Sequence, residues 1–451
     1  MKDARVATWR QRTGASSLVL LVLALAFGAA ASAGAQARLE LTLDQAIELG
    51  LAQSRELAVA QAKAQATDAR LGQARSGFFP QISASGSYTR LDEAPSMDLS
   101  VFGGEGKIFL GDDDIYSLGL SVRQPLFTGG ALLSAHGAAK HAARAGTLVE
   151  ERSAEEVRYD ITGAYLGLVQ AREALRVMND AAAQMAGHLD DVEALYEQGM
   201  IIQSDVMLAR VRKSEVDLAQ TRAEHAVRMA GAALAFALAV DLETEIVPTD
   251  PLSGAEFPDK DLASWTGDAL GARNDLKAMN EMVAAAGNGV SLARSGYLPR
   301  VVAVGTYAWD RPNREYEPEF YDHWSATVAA EMNVFDWGGT RNRVKEARAG
   351  LIEAERSKEL LEDAVRLEVK QSYLERREAA EALPIAEDAL AQAREGMRVA
   401  RESFLNGVAT NSAVLDAQAS LTGAEMNRIA ALAGLRLAEA KLRLAAGVAA
   451  R

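Results

Sequence analysis

Four stretches of the chain alternate apolar and small polar residues with period two, the signature of strands with one apolar face. In Gln81 to Arg90, Ile82, Ala84, Gly86 and Tyr88 oppose Ser83, Ser85, Ser87 and Thr89. In Tyr116 to Gln124, Tyr116, Leu118, Leu120 and Val122 oppose Ser117, Gly119, Ser121 and Arg123. Val301, Ala303, Gly305, Tyr307 and Trp309 make one face of a third strand, and Trp324, Ala326, Val328, Ala330 and Met332 one face of a fourth. Elsewhere the period is helical. Ile161, Ala164, Leu168, Ala171, Leu175, Met178, Ala182, Met185, Leu189, Val192 and Tyr196 keep a 3,4 spacing, the seam of a left-handed coiled coil. Leu383, Ala386, Leu390, Ala393, Met397, Ala400 and Phe404 repeat it. A helix from about Leu132 to Tyr196 spans ~100 Å at ~1.5 Å per residue, so these helices must pack on one another as a rod or tube. Pro384 lies inside the second such helix and predicts a kink or a local break. An opening helix is expected to start at Thr42, with Gln45 completing a capping box, and to run to about Gly77, before Pro80.

The chain is internally duplicated. Arg75-Ser76-Gly77-Phe78-Phe79-Pro80 recurs as Arg294-Ser295-Gly296-Tyr297-Leu298-Pro299. Pro125-Leu126-Phe127-Thr128-Gly129-Gly130 returns as Asn333-Val334-Phe335-Asp336-Trp337-Gly338-Gly339. Leu195-Tyr196-Glu197-Gln198-Gly199, followed by Ser204-Asp205-Val206, returns as Ser403-Phe404-Leu405-Asn406-Gly407, followed by Ser412-Ala413-Val414. The expected organisation is therefore a first repeat over 36–240, a Pro-bearing linker over 241–261 and a second repeat over 262–451, each running helix, strand, loop, strand, long helical hairpin. At the hairpin turns, Gly199 and Gly407 are expected to supply a left-handed C-cap, and Ser204 and Ser412 to cap the returning helices.

Four strands of about ten residues suit an outer-membrane barrel, whose strands cross in about 9–11 tilted residues. Tyr88, Tyr116, Phe127, Tyr307, Trp309, Trp324, Phe335 and Trp337 bracket them as interface aromatics do. An ordinary antiparallel sheet would share the alternation but not those belts. Four strands cannot close alone, since bacterial barrels start at eight, and three copies would give twelve. The intervening loops, Leu91 to Ile115 and Asp310 to His323, are acidic and read as exposed connections.

The beginning of the chain fits export. Lys2, Arg5, Arg10 and Arg12 precede an apolar run from Leu18 to Ala30 and small residues at 31–35, the plan of a secretory signal peptide over 1–35. Its removal takes the net charge from −14 to about −17, which argues against a nucleic-acid partner. No later run is long enough for a membrane-crossing helix. The absence of Cys excludes disulfides, thiol chemistry and a lipidated cysteine.

No catalytic, cofactor or metal site is expected. His136, His141, His188, His225 and His323 lack zinc-site spacing and read as solvated or packed, and Met178, Met185, Met200 and Met207 as packing residues. Asp112-Asp113-Asp114 lacks the spaced ligands of a calcium loop and reads as a solvated acidic loop. No Gly-x-Ser-x-Gly elbow, P-loop or dinucleotide fingerprint occurs, so the chain is not expected to be an enzyme.

Taken together, Leu43-Asp44-Gln45-Ala46 at the first helix, the two Ser-Gly-aromatic-x-Pro strand entries, the aromatic-Gly-Gly exits and the two Gly-x4-Ser-(Asp/Ala)-Val turns resemble the TolC family of trimeric outer-membrane channels. The resemblance covers essentially the whole mature chain. It implies a mainly α fold with a β-barrel portion: a twelve-stranded trimeric barrel in outer-membrane lipid, continued by a periplasmic helical tunnel of a Gram-negative cell. It implies a passive duct of efflux or type I secretion, docked through a periplasmic adaptor to an inner-membrane pump of RND, ABC or MFS type. The tips around Gly199, Ser204, Gly407 and Ser412 would dock the adaptor. The family's entrance lock would map onto Asp205, Phe404, Ala409, Ala413 and Asp416, where the aromatic lacks its hydroxyl and the Arg and one acid are Ala. Asp416, repeated by symmetry, would then form the remaining acidic constriction, where three like charges would hold a cation or shift their own pKa values. The competing reading is a soluble periplasmic coiled-coil adaptor or scaffold, which shares the hairpins and the export signal but has no need of the strands.

Overall fold

The computed structural model describes residues 38–448, apart from residues 95, 100–102, 104–105, 110–111, 254–256 and 316. The expected signal peptide lies outside the described residues. Strand β1 (Arg38–Leu41) leads into α1 (Leu43–Gln53) and α2 (Arg55–Ser76). Strand β2 (Gln81–Arg90), the short strands β3 (Ser96–Asp98) and β4 (Lys107–Phe109), and β5 (Asp114–Phe127) follow. The first hairpin is α3 (Ala131–Glu197) and α4 (Gln203–Ala237), followed by β6 (Glu245–Pro248). The second half repeats the plan with α5 (Leu262–Ala272), α6 (Asn274–Arg294), β7 (Arg300–Arg311), β8 (Tyr321–Glu331), α7 (Gly339–Leu405) and α8 (Asn411–Ala445). The long helices match in length across the halves, 67 residues for α3 and α7 and 35 for α4 and α8.

The capping box at Thr42 and Gln45 forms as expected. The opening helix, however, is not continuous. At Ser54 the backbone leaves the helical region (φ −57°, ψ 122°), and the Ser54 hydroxyl then caps α2 by accepting from the Leu57 amide at 3.2 Å. Arg273 makes the same break in the second half (φ −59°, ψ 128°). Pro384 does not break α7, which runs through it on an exposed face; there, one lost amide donor leaves the carbonyl a turn earlier open to water.

The segment 241–261 is more than a linker. Within it β6 pairs in parallel with β1, and the Asp250 carboxylate accepts from the Leu43 amide at 2.6 Å. The fully buried Tyr165 of α3 donates to the Leu41 carbonyl at 3.0 Å, beneath a core of Ile47, Ile161, Leu168, Leu234 and Leu238. Trp265, Leu276, Val365, Val369 and Leu442 build the corresponding core of the second half, and a third cluster lies at the hairpin ends. Among the described residues there is thus no wide core but a set of narrow seams, in which α2, α4, α6 and α8 pack along α3 and α7 along α6 and α8. In α7 the expected seam positions from Leu383 to Phe404 are buried at Leu390 and Phe404 and half-buried at the other five, while the best-buried residues, Val365, Val369 and Ser372, precede them. In α3 the buried stripe runs through Val177, Ala181, Met185, His188 and Val192, so Met178 and Ala182 are displaced to its half-buried flank.

The main sheet is antiparallel in the order β2-β5-β7-β8, so the two halves join at β5 and β7, while β2 and β8 are the outer strands. Among the described residues no helix is long and apolar enough to cross a membrane.

Candidate functional site: an exposed sheet and the ends of two hairpins

Register puts the apolar residues of all four strands on one face. Ile82 pairs with Val122, Ala84 with Leu120, and Gly86 with Leu118; Leu118 then meets Trp309, Leu120 meets Tyr307, and Tyr307 meets Trp324. Ile82, Leu118, Leu120, Trp324 and Val328 are exposed, a row of large apolar side chains that water would not tolerate over such an area. The opposite face is a hydrogen-bonded polar ladder: Ser83 with Ser121 at 2.7 Å, Ser117 donating to Asp310 at 2.6 Å, and Thr306 with Ser325 at 2.7 Å.

Tyr88, Tyr116, Tyr307, Trp309 and Trp324 all lie toward the loop end of their strands, and Phe127, Phe335 and Trp337 at the helical end. Trp337 is 89% exposed, and its ring stands edge-on to that of Phe335 at 5.0 Å. From Tyr116 to Phe127 the strand covers ~36 Å, which a tilt near ~45° projects to ~25 Å, the height of an outer-membrane apolar band. Sequence alternation did not reveal the polar tethers of two belt tyrosines: Tyr88 donates to Asp114 at 2.7 Å and Tyr307 to Asp322 at 2.6 Å. Asp112, Asp113 and Asp114 are the one group of at least three acidic or His residues among the described residues whose ligand atoms converge. They are half-buried and salt-bridged rather than solvated. Arg90 reaches Asp113 at 2.7 Å and Asp114 at 2.8 Å, and Arg311 reaches Asp112 at 3.4 Å, so two guanidiniums already offset most of the charge of the three carboxylates.

At the other end of the molecule, Gly199 (φ +74°) and Gly407 (φ +72°) end α3 and α7 in the left-handed region that a Cβ disfavours. The Met200 amide reaches back to the Leu195 carbonyl at 2.9 Å, and the Val408 amide to Ser403 at 2.8 Å, closing two equivalent turns. The returning helices are not capped by Ser204 and Ser412. Both serines already lie inside the first turn, one residue beyond the starts of α4 and α8. Ile202 and Thr410 occupy the extended cap positions, and only Thr410 uses its side chain, accepting from the Ala413 amide at 3.3 Å.

Phe404 is 5% exposed and packs with Val192, Val206, Ala209 and Val414, joining the two hairpins. Asp205 is half-buried in the first turn of α4, and Asp416 is exposed on α8. A buried polar chain runs through this cluster. The His188 Nε2 lies 2.8 Å from Asn411 Oδ1, and Asn411 Nδ2 donates to the Asp205 carbonyl at 3.0 Å. The His188 ring sits 5.2 Å from that of Phe404. Burial pushes the His188 pKa below its ordinary value, against the hydrogen bond it donates to Asn411 and the nearby charge of Asp191. The sequence carried a usable signal for this chain: a lone His on an apolar stripe needs a polar partner.

The sequence profile described as Outer membrane efflux protein matches residues 46–240 and 265–448. Protein CyaE of Bordetella pertussis is 28% identical over 340 residues, which cover 72% of this chain and 66% of CyaE, just under two thirds of its length. The outer-membrane channel OprN superposes with a TM-score of 0.78 at 20% identity, covering 90% of each chain. The outer-membrane channel CmeC of Campylobacter jejuni superposes at 0.79 and 17% identity, covering 90% of this chain and 85% of CmeC. The fold is that of solved outer-membrane channels, a class of transport proteins and not of enzymes. With both of its halves matched by one profile, the chain belongs to the outer membrane efflux protein family, whose place is the outer membrane.

Proposed function

We propose that three copies of this protein close into a twelve-stranded outer-membrane pore continued by a helical tunnel, the passive exit duct of a tripartite efflux or type I secretion system. The observation that carries this reading is the four-stranded sheet with two unpaired edges, β2 and β8, and one exposed apolar face rimmed by aromatics. Joining β8 of one copy to β2 of the next removes the edges, and lipid covers the apolar face. A soluble periplasmic adaptor leaves both features without a purpose. Recovery in the outer-membrane fraction as a trimer that conducts ions in planar bilayers is the expected result. Recovery in the soluble periplasm would overturn it.

The hairpin tips around Gly199, Ser204, Gly407 and Ser412 then meet a periplasmic adaptor, and through it an inner-membrane pump. Exposed Met200, Ile202, Leu405 and Val408 give these ends an apolar surface for that contact. Crosslinking from cysteines placed at Gly199 and Gly407 is expected to capture the adaptor. Asp205, Phe404 and Asp416 mark the entrance, with Phe404 joining the hairpins and Asp416 supplying a threefold acidic ring. Asp416→Asn is expected to reduce cation selectivity and block by multivalent cations; unchanged values would remove Asp416 from the entrance.

A further inference from the structure

We infer that His188, Asn411 and the Asp205 carbonyl form a latch that holds the second hairpin against the first, and that its release sets how often the entrance opens. The inference rests on reading the hairpin ends as the entrance.

The hydrogen-bond directions are fixed by elimination. Asn411 Nδ2 is spent on the Asp205 carbonyl, so its Oδ1 must accept, and His188 must carry a proton on Nε2. One side-chain amide thereby ties together α3, α4 and α8. Both side-chain partners are buried, His188 at 5% and Asn411 at 3% exposure, among Val192, Val206, Val414 and Phe404. In such surroundings each group is costly to leave unpaired, so the hairpins part only when water can take over the bonds. The ion pair that also crosses between the hairpins here, Arg401 with Asp191 at 3.6 Å, is largely exposed and contributes little.

The duplication shows that this chain of bonds is not a requirement of the hairpin fold. Matching the halves by their equal helices puts Gln203 opposite Asn411 and Gly396 opposite His188, and both are exposed. The latch exists once per protomer, across the hairpins and not within either. It also stands where the family's Arg is replaced: Ala409 offers no donor, and two residues further on Asn411 delivers one to the main chain of Asp205.

Protonation gives a second way to release it. A proton on Nδ1 leaves the Nε2 bond formally intact but places a cation in the apolar cluster. The groups facing the ring are Asp191 on its own helix, Arg401 and Phe404 on α7, Asn411 on α8 and, through Asn411, Asp205 on α4. The adjacent Arg401 opposes the new charge and Asp191 supports it, so burial decides and the protonated latch is weaker.

The test is single-channel recording of the purified protein in planar bilayers. Asn411→Ala and His188→Phe, which keeps the ring packed on Phe404, should each raise open occupancy about tenfold at neutral pH. His188→Gln, whose amide can donate from nearly the Nε2 position, should stay near wild type and lose the rise in occupancy that wild type shows only once the pH falls below the ordinary imidazole range. The chain has no Cys, so a His188→Cys, Asn411→Cys pair joined by a short reducible dithiol linker should hold occupancy low until reduced. Wild-type occupancy in both Asn411→Ala and His188→Phe would overturn the latch while leaving the duct intact. A wild-type protein that forms no pore would overturn the duct reading itself.

Discussion

The two halves of this protein share an apolar skeleton and differ in their polar joints. Val157 and Val365, Ile161 and Val369, and Leu234 and Leu442 occupy matched positions and are buried in both halves. The helix break before the sheet is made in both halves with nearly the same backbone angles. What stabilises the break is different. Ser54 needs a single cap bond, whereas Arg273, with a side chain 5% exposed, donates to Asp275 at 2.7 Å, to Glu368 at 2.5 Å and to the Ala445 carbonyl at 3.0 Å. Backbone geometry is thus inherited by the duplication, while the way it is held is free to change. The second half uses that freedom to fasten α6, α7 and the end of α8 at one guanidinium.

Substitutions can break this contrast. Arg273→Ala should cost about 3 kcal/mol in the denaturant midpoint of the detergent-purified protein, because it strands Asp275 and a buried carbonyl. Burial alone would raise the Asp275 carboxyl, but the Arg273 bonds outweigh it and hold it below its ordinary value. The ionic part of the Arg273 contribution should therefore persist above pH 3.8 and fade as the pH drops through the lowered pKa. Next in size, Gly199→Ala and Gly407→Ala should each cost about 1.5 kcal/mol, and equally, since both turns need the left-handed conformation and have open space. Unequal losses would show that the matching of the halves fails at the tips. Ser54→Ala should cost about 1 kcal/mol, the loss of one cap; a loss as large as that of Arg273→Ala would erase the contrast.

The smallest effect is expected at Glu439, which faces Arg436, Arg376 and Arg443 and stands opposite Gly231 of the first half. Burial raises its pKa above 4.5 in spite of these cations, so the folded state loses stability as the pH rises through that value. Glu439→Gln should give a stabilisation at neutral pH smaller than the Ser54 loss, vanishing near pH 4 where both states are protonated. Thermal unfolding at the two pH values measures it, and destabilisation at neutral pH would show that the arginines need the charge.

The strands were legible because Ser, Thr and Gly alternate strictly with large apolar residues, a pattern that packing reinforces rather than overrides. The hairpins were legible for the same reason at the helical period. The breaks at Ser54 and Arg273 were not, since both residues are acceptable inside a helix and only the core contacts of Ile47 and Leu276 demand the turn. Strands β1 and β6, four residues each, are too short to show a period. Ser204 and Ser412 were misplaced by a residue or two, within the usual uncertainty of a helix end. Phe404 packs in the cluster at the hairpin ends, and the Asp205 main chain is tied to that cluster through Asn411 and His188, whose partnership across 223 positions no local spacing announces.

The parallel pair of β1 and β6 has a consequence for how the protein is made. Arg38 lies opposite Glu245, so this clasp closes a loop of about 200 residues, at an entropic cost of ~5 kcal/mol. In a chain that emerges from its amino end, β1 is delivered early and its partner only after the whole first hairpin has passed. Until then the strand offers bare backbone and apolar Leu39 and Leu41 to any stray edge. The first repeat is therefore not closed by its own residues alone: its first strand gains a partner only when Glu245–Pro248 arrives.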